Sequence, residues 1–168
     1  RIEIPIVIHP SMARGYKLCM DYDLQRIIGR EFDLMLGATR LIYGGVFEEF
    51  PELKVVFPHL GGGISGLKGR LRAVQPWVQH SDRMKQSFDA YFSKLYFDTA
   101  GFPMSAAEIR CALINIGPDR LLFGSDYPAD YRDYEQVRQF KELVLGLLPD
   151  EADRKKVMEG NAAKLLKL

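Results

Sequence analysis

Four side chains able to bind a metal or move a proton close four apolar runs of the sequence. His9 ends IPIVIHP, His59 follows the apolar part of KVVFPHLGGG, Asp98 ends the strand-like part of KLYFDTAG, and Asp126 follows Leu-Leu-Phe in RLLFGSDYP. The chain has only three histidines, and two of them hold equivalent places after successive runs. Neutral imidazole and carboxylate are ordinary ligands of divalent cations such as zinc and manganese. A cation there would offset the cost of holding Asp126 beside an apolar run, and would acidify a bound water or polarise a substrate oxygen. Each residue also has a plainer reading. A single histidine at a strand end commonly makes one structural hydrogen bond, and Asp98 and Asp126 can order turns or cap helices. His80 lies in a polar stretch and reads as solvated.

The elements that must position these residues alternate. The four runs, residues 4–10, 54–63, 94–101 and 120–128, are rich in Val, Ile, Leu, Phe and Tyr and stop at Gly or Pro. None alternates cleanly with polar residues, which predicts strands covered on both faces, as in a parallel sheet. Helical spacing fills the intervals: 23–49, divided by Gly37 and the Gly44-Gly45 pair; 66–78; 80–92; 105–116; and 134–148; a polar-apolar stretch, 151–168, closes the sequence. Ser105 with Glu108 has capping-box spacing, and Gly117-Pro118 stops that helix. Strand-helix alternation implies right-handed crossovers in an open doubly wound sheet or in part of a closed (β/α) barrel. In both, ligands bind at the carboxyl ends of the strands, where His9, His59, Asp98 and Asp126 fall.

The 168 residues fit a single domain, 1–168, with no linker or low-complexity segment. A formal net charge of +1 gives no footprint for nucleic acid or an anionic membrane. No apolar run approaches the ~20 residues of a membrane span, and the opening lacks a signal-peptide pattern. Cys19 and Cys111 form no CxxC and read as reduced, packed thiols of a cytoplasmic protein. Gly61-Gly62-Gly63 lacks phosphate-loop spacing and reads as a sharp turn that leaves room beside His59. No GxSxG elbow is present.

In order, RLIYGGVFEEFPELKVVFPHLGGG, KLYFDTAG, GPDRLLFGSDYP and GNAAKLLKL resemble the amidohydrolase-related (amidohydrolase 2) family. That family includes aminocarboxymuconate semialdehyde decarboxylase-like and resorcylate decarboxylase-like enzymes. The resemblance runs over essentially the whole chain. It implies an α/β fold of the (β/α)8 TIM-barrel type with one catalytic divalent metal. His9 then corresponds to the metal-ligating histidine ending the fifth strand, and His59 to the catalytic histidine ending the sixth. Asp126 corresponds to the aspartate ending the eighth, which binds the metal and shuttles a proton. No role carries over to Asp98.

The family's opening strand bears His-x-His or Glu-x-His, and no such pair occurs here. With the start at Arg1, this places the chain as the C-terminal half of the barrel, about four βα units, strands 5–8. The resemblance implies a metal-dependent decarboxylase acting on a small aromatic or unsaturated carboxylic acid. Alternatives are a hydrolase of a lactone or cyclic amide and a catalytically silent half-barrel assembly module. Zinc is the first expectation for the metal and manganese the second. Occupancy in the isolated chain is expected to be weak or nil, because His9 and Asp126 fall short of three protein ligands. Unpaired sheet edges predict self-association or pairing with the missing half. Tyr16, Phe102 and Tyr127 are candidates to line a pocket for a planar acid, although core or surface roles suit each of them too.

Overall fold

The computed structural model describes residues 4–11, 19–103 and 105–168. Among them a four-stranded sheet runs β1 (Ile6–Val7), β2 (Val55–Phe57), β3 (Leu95–Asp98) and β4 (Leu121–Leu122), in that spatial order. Every neighbouring pair is parallel, with Val56 opposite Val7 and Tyr96, and Asp98 opposite Leu122. Helices make the crossovers. After β1 come a wide turn at Gln25–Gly29, then α1 (Arg30–Tyr43) and α2 (Val46–Glu49). After β2 come α3 (Lys68–Val74) and α4 (Phe88–Phe92). After β3 comes α5 (Ala106–Asn115). After β4 come α6 (Tyr134–Gly146), α7 (Glu151–Lys155) and α8 (Asn161–Leu166).

Side chains alternate across each strand, so the sheet has two apolar faces. Val55, Phe57, Leu95, Phe97 and Leu121 pack with Leu34, Ile42, Ile109, Phe140 and Val144 of the helices in the main core. Burying side chains of this size contributes about 1.5–3 kcal/mol each. Val56, Tyr96 and Leu122 face the other way, where Leu165 of α8 covers them.

Several sequence expectations need correction. β1 is not covered on both faces: Ile6 is 49% and Val7 66% exposed, and among the described residues β1 is an edge strand paired only with β2. Gly37 does not divide the first helical stretch, since α1 runs through it and the break falls at Gly44-Gly45. The stretch 80–92 is mostly not α-helix. His80 takes φ +61 and a short turn follows at Ser81–Arg83, so only Phe88–Phe92 is α-helical, capped by the Ser87 hydroxyl. Ser105 precedes α5, but its hydroxyl bonds the Glu108 carboxylate rather than a backbone N–H.

The two edges of the sheet differ. On the outer side of β4, Phe123 donates its N–H to Val157 O at 2.9 Å. The buried Asn161 donates its amide to Leu121 O at 2.8 Å and Pro118 O at 2.7 Å. The chain before and into α8 thus satisfies that edge. Among the described residues nothing pairs with the outer edge of β1.

Candidate active site

β2 ends at Phe57, and the chain then makes a left-handed turn. His59, Leu60, Gly61, Gly62 and Gly63 all have positive φ, between +51 and +80. Such a run is costly for residues bearing a Cβ and needs support from its surroundings. Asp98, at the end of β3, provides part of it. Its Oδ1 accepts the His59 N–H and the Ala100 N–H, both at 3.0 Å. The strand-end carboxylate thus fixes the main chain of the neighbouring βα turn.

The His59 ring is held separately. Its Nδ1 lies 2.8 Å from Glu31 Oε1, on the first turn of α1. Its Nε2 points toward Asp126, with Oδ2 at 4.0 Å. That separation is too long for a direct hydrogen bond. Gly101, with φ +75, lies against the ring: a Cβ there would sit 2.3 Å from His59 Cγ. Asp126 is placed by a cross-loop tie. The fully buried Thr99 donates its hydroxyl to Gly124 O at 2.8 Å and accepts the Gly124 N–H at 3.1 Å. Asp126 itself has φ +55, and Tyr127-Pro128 is cis.

One imidazole therefore sits among carboxylates. Burial pulls the His59 pKa down, but its hydrogen bond to Glu31 and the charges of Glu31, Asp98 and Asp126 outweigh that, and the net shift is upward. Asp98 is pushed up by burial, with partial relief from the His59 and Ala100 N–H groups. Asp130 is raised by burial and by the charge of Asp126. One oxygen of Glu31 and one of Asp130 are buried without a hydrogen-bond partner among the described residues.

The structure brings His59 and Asp126 together and sets Asp98 beneath the His59 main chain. His9 lies beyond β1, exposed, and no hydrogen bond or ion pair joins it to the others among the described residues. Asp126 is not at a strand end but in the loop after β4. Phe102 is partly buried against the core and Tyr127 is 60% exposed, whereas Tyr16 lies outside the described residues. Glu31 was not legible in the sequence, because nothing in the helical pattern separates it from Asp33.

Among the described residues no group of three or more His, Cys, Asp or Glu side chains is gathered to hold a metal ion. The described side chains therefore do not by themselves make a metal site.

A family model described as "Amidohydrolase" matches residues 2–168. Gamma-resorcylate decarboxylases of Polaromonas sp. (strain JS666) and Rhizobium sp. (strain MTP-10005) are 29% and 30% identical over 133 residues. Those matches cover 78% of this chain and 39% of each relative, so the chain spans well under half the length of these curated relatives. Among solved structures, 5-carboxyvanillate decarboxylase LigW from Sphingomonas paucimobilis superposes with TM-score 0.81 at 26% identity, over 98% of this chain and 49% of that one. The 2,6-dihydroxybenzoate decarboxylase from Rhizobium gives 0.82 at 25% identity, over 98% and 51%. A dihydroxybenzoic acid decarboxylase from Polaromonas sp. JS666, solved with bound manganese and the inhibitor 2-nitroresorcinol, gives 0.75 at 26% identity, over 99% and 50%.

Proposed function

Because the chain belongs to the amidohydrolase family, we propose that the protein carrying it is a decarboxylase of small aromatic carboxylic acids. One observation in the structure carries this reading. A half-buried imidazole, its ring bonded to Glu31 and its main chain to Asp98, faces a carboxylate across 4.0 Å beyond the carboxyl ends of parallel strands, where such folds bind ligands. The similarity to decarboxylases of hydroxylated benzoates supports the substrate class.

In this reading residues 1–168 form one unit, strands 5–8 of a (β/α)8 barrel, and associate with the other half. Decarboxylation breaks the bond between a ring carbon and its carboxylate. The electron pair stays on the ring carbon, a proton replaces the carboxylate, and carbon dioxide leaves. The proton comes from His59 or Asp126, the two catalytic groups of the proposal. Asp98 holds the main chain of His59 beyond the strand ends. A divalent ion belongs to the proposal as a component sharing His9 and Asp126, with further donors from outside this chain. Manganese is favoured over zinc by the manganese-bound neighbour.

The test uses the full-length protein with 2,6-dihydroxybenzoate as probe and release of carbon dioxide as readout. His59→Ala and Asp126→Ala are expected to abolish release while far-UV circular dichroism stays unchanged. Ring opening of a lactone or cyclic amide without carbon dioxide release would assign the same side chains to hydrolysis instead. Neither activity in a folded, metal-supplemented protein would leave an assembly module.

A further inference from the structure

We infer that Glu31 is a positioning residue that sets the tautomer and the aim of the His59 ring; the consequence for turnover rests on the decarboxylase reading. An ionised carboxylate can only accept hydrogen bonds. At 2.8 Å from Glu31 Oε1, Nδ1 therefore carries a proton, in the neutral ring and in the imidazolium alike. That leaves Nε2 as the nitrogen facing Asp126. Without Glu31 neither the tautomer nor the ring's rotation about its side-chain bonds is specified, because Asp98 touches only the main chain of His59.

Three features show that this contact is built in rather than incidental. Glu31 comes from the first turn of α1 and reaches a residue of the next βα unit, so the helix must sit close. Gly62 makes that approach possible: a Cβ there would lie 1.9 Å from the Glu31 carbonyl oxygen. The second carboxylate oxygen, Oε2, is buried without a partner among the described residues. An unsatisfied buried polar atom is a cost that calls for a compensating role. Here one oxygen is committed to the imidazole, and the other is carried into the interior with it. Asp98 and Glu31 thus divide the support of His59 between main chain and ring.

The test compares wild type with Glu31→Ala and Glu31→Gln in the full-length protein. Two-bond 15N–1H correlation spectra of 15N-histidine-labelled protein, assigned with His59→Gln, report the tautomer. Wild type should show the proton on Nδ1. Glu31→Gln, whose amide N–H can donate to Nδ1, should shift the proton to Nε2, facing Asp126. Glu31→Ala should lose that signature and mix the tautomers. Turnover of 2,6-dihydroxybenzoate should fall about 10–100-fold in kcat for both variants with little change in KM. An unchanged tautomer in Glu31→Ala overturns the inference, as does a rise in KM at constant kcat. If Glu31→Ala fails to fold, retention of the Nδ1 proton with unchanged kcat in folded Glu31→Gln overturns it equally. If wild type releases no carbon dioxide, the decarboxylase reading fails, while the spectra still decide the role of Glu31.

Discussion

Replacing Gly101 with alanine perturbs the wall against which the His59 ring rests. The added methyl would lie 2.3 Å from Cγ, 2.6 Å from Cδ2 and 2.7 Å from Nδ1 of His59. Non-bonded carbons settle at about 3.5–4.0 Å, so the overlap is roughly 1 Å or more. The ring cannot simply swing aside, because Nδ1 is bonded to Glu31 and the main chain to Asp98. Overpacking of this kind costs about 1–3 kcal/mol. The left-handed backbone at φ +75 adds about 1–2 kcal/mol for any residue with a Cβ. Gly63→Ala isolates the second contribution, since Gly63 has φ +80 and nothing within 4 Å of the added methyl. Equilibrium urea unfolding should therefore show Gly101→Ala to be less stable than Gly63→Ala by about 1–3 kcal/mol. Adding His59→Ala to Gly101→Ala removes the obstructing ring, and the double-mutant cycle should return a favourable coupling of similar size. A ring displaced by about 1 Å should also lower turnover on the order of 100-fold. Equal costs for the two glycine variants, or no coupling with His59→Ala, would refute the packing argument.

Asp98→Ala leaves two N–H groups without their acceptor and should cost about 1–3 kcal/mol in urea unfolding, whereas Asp98→Asn, which keeps an accepting oxygen, should cost less. Asn161→Ala removes both amide bonds at the outer edge of β4; about 2–4 kcal/mol should be lost, and amide exchange at Leu121 to Phe123 should accelerate. The Glu48 carboxyl is held below the usual glutamate range by its hydrogen bond from the Tyr91 hydroxyl. A lowered carboxyl pKa contributes stability that is present above the unfolded value and lost as pH falls through the folded one. Tyr91→Phe should therefore destabilise the protein at pH 7, and the gap to wild type should narrow as pH falls below 4.5, the ordinary value for this carboxyl. Dialysis followed by metal analysis should find well under one manganese equivalent per isolated chain; a tightly held equivalent would show that the chain completes a ligand set by itself.

The sequence revealed what depends on local chemistry. The buried runs at Val55–Phe57, Leu95–Asp98 and Leu121–Leu122 announced themselves as apolar stretches ending at glycine, and alternation with helical spacing gave the parallel order. The length of each strand did not follow, because pairing depends on a neighbour: residues 4–10 supply only Ile6–Val7, which has a partner on one side alone. His59 and Asp126 were recognisable by type and position. The positive φ of His59, Leu60 and Asp126 was not, since nothing in a histidine, leucine or aspartate requires it. Asp98 lacked a role because its role is to accept N–H groups from two main-chain segments. Glu31 was hidden for a related reason: its contact spans two βα units and exists only once α1 has docked against the glycine turn.

The contrast between the two borders of the sheet gives it a direction of growth. At β4, Val157 and Asn161 have already taken the places an incoming strand would need. At β1 the ladder stops with its outward-facing backbone groups unclaimed among the described residues. In this arrangement a strand arriving from elsewhere can extend the sheet only alongside Ile6 and Val7, and closing the proposed barrel would require Val157 and Asn161 to give way at β4.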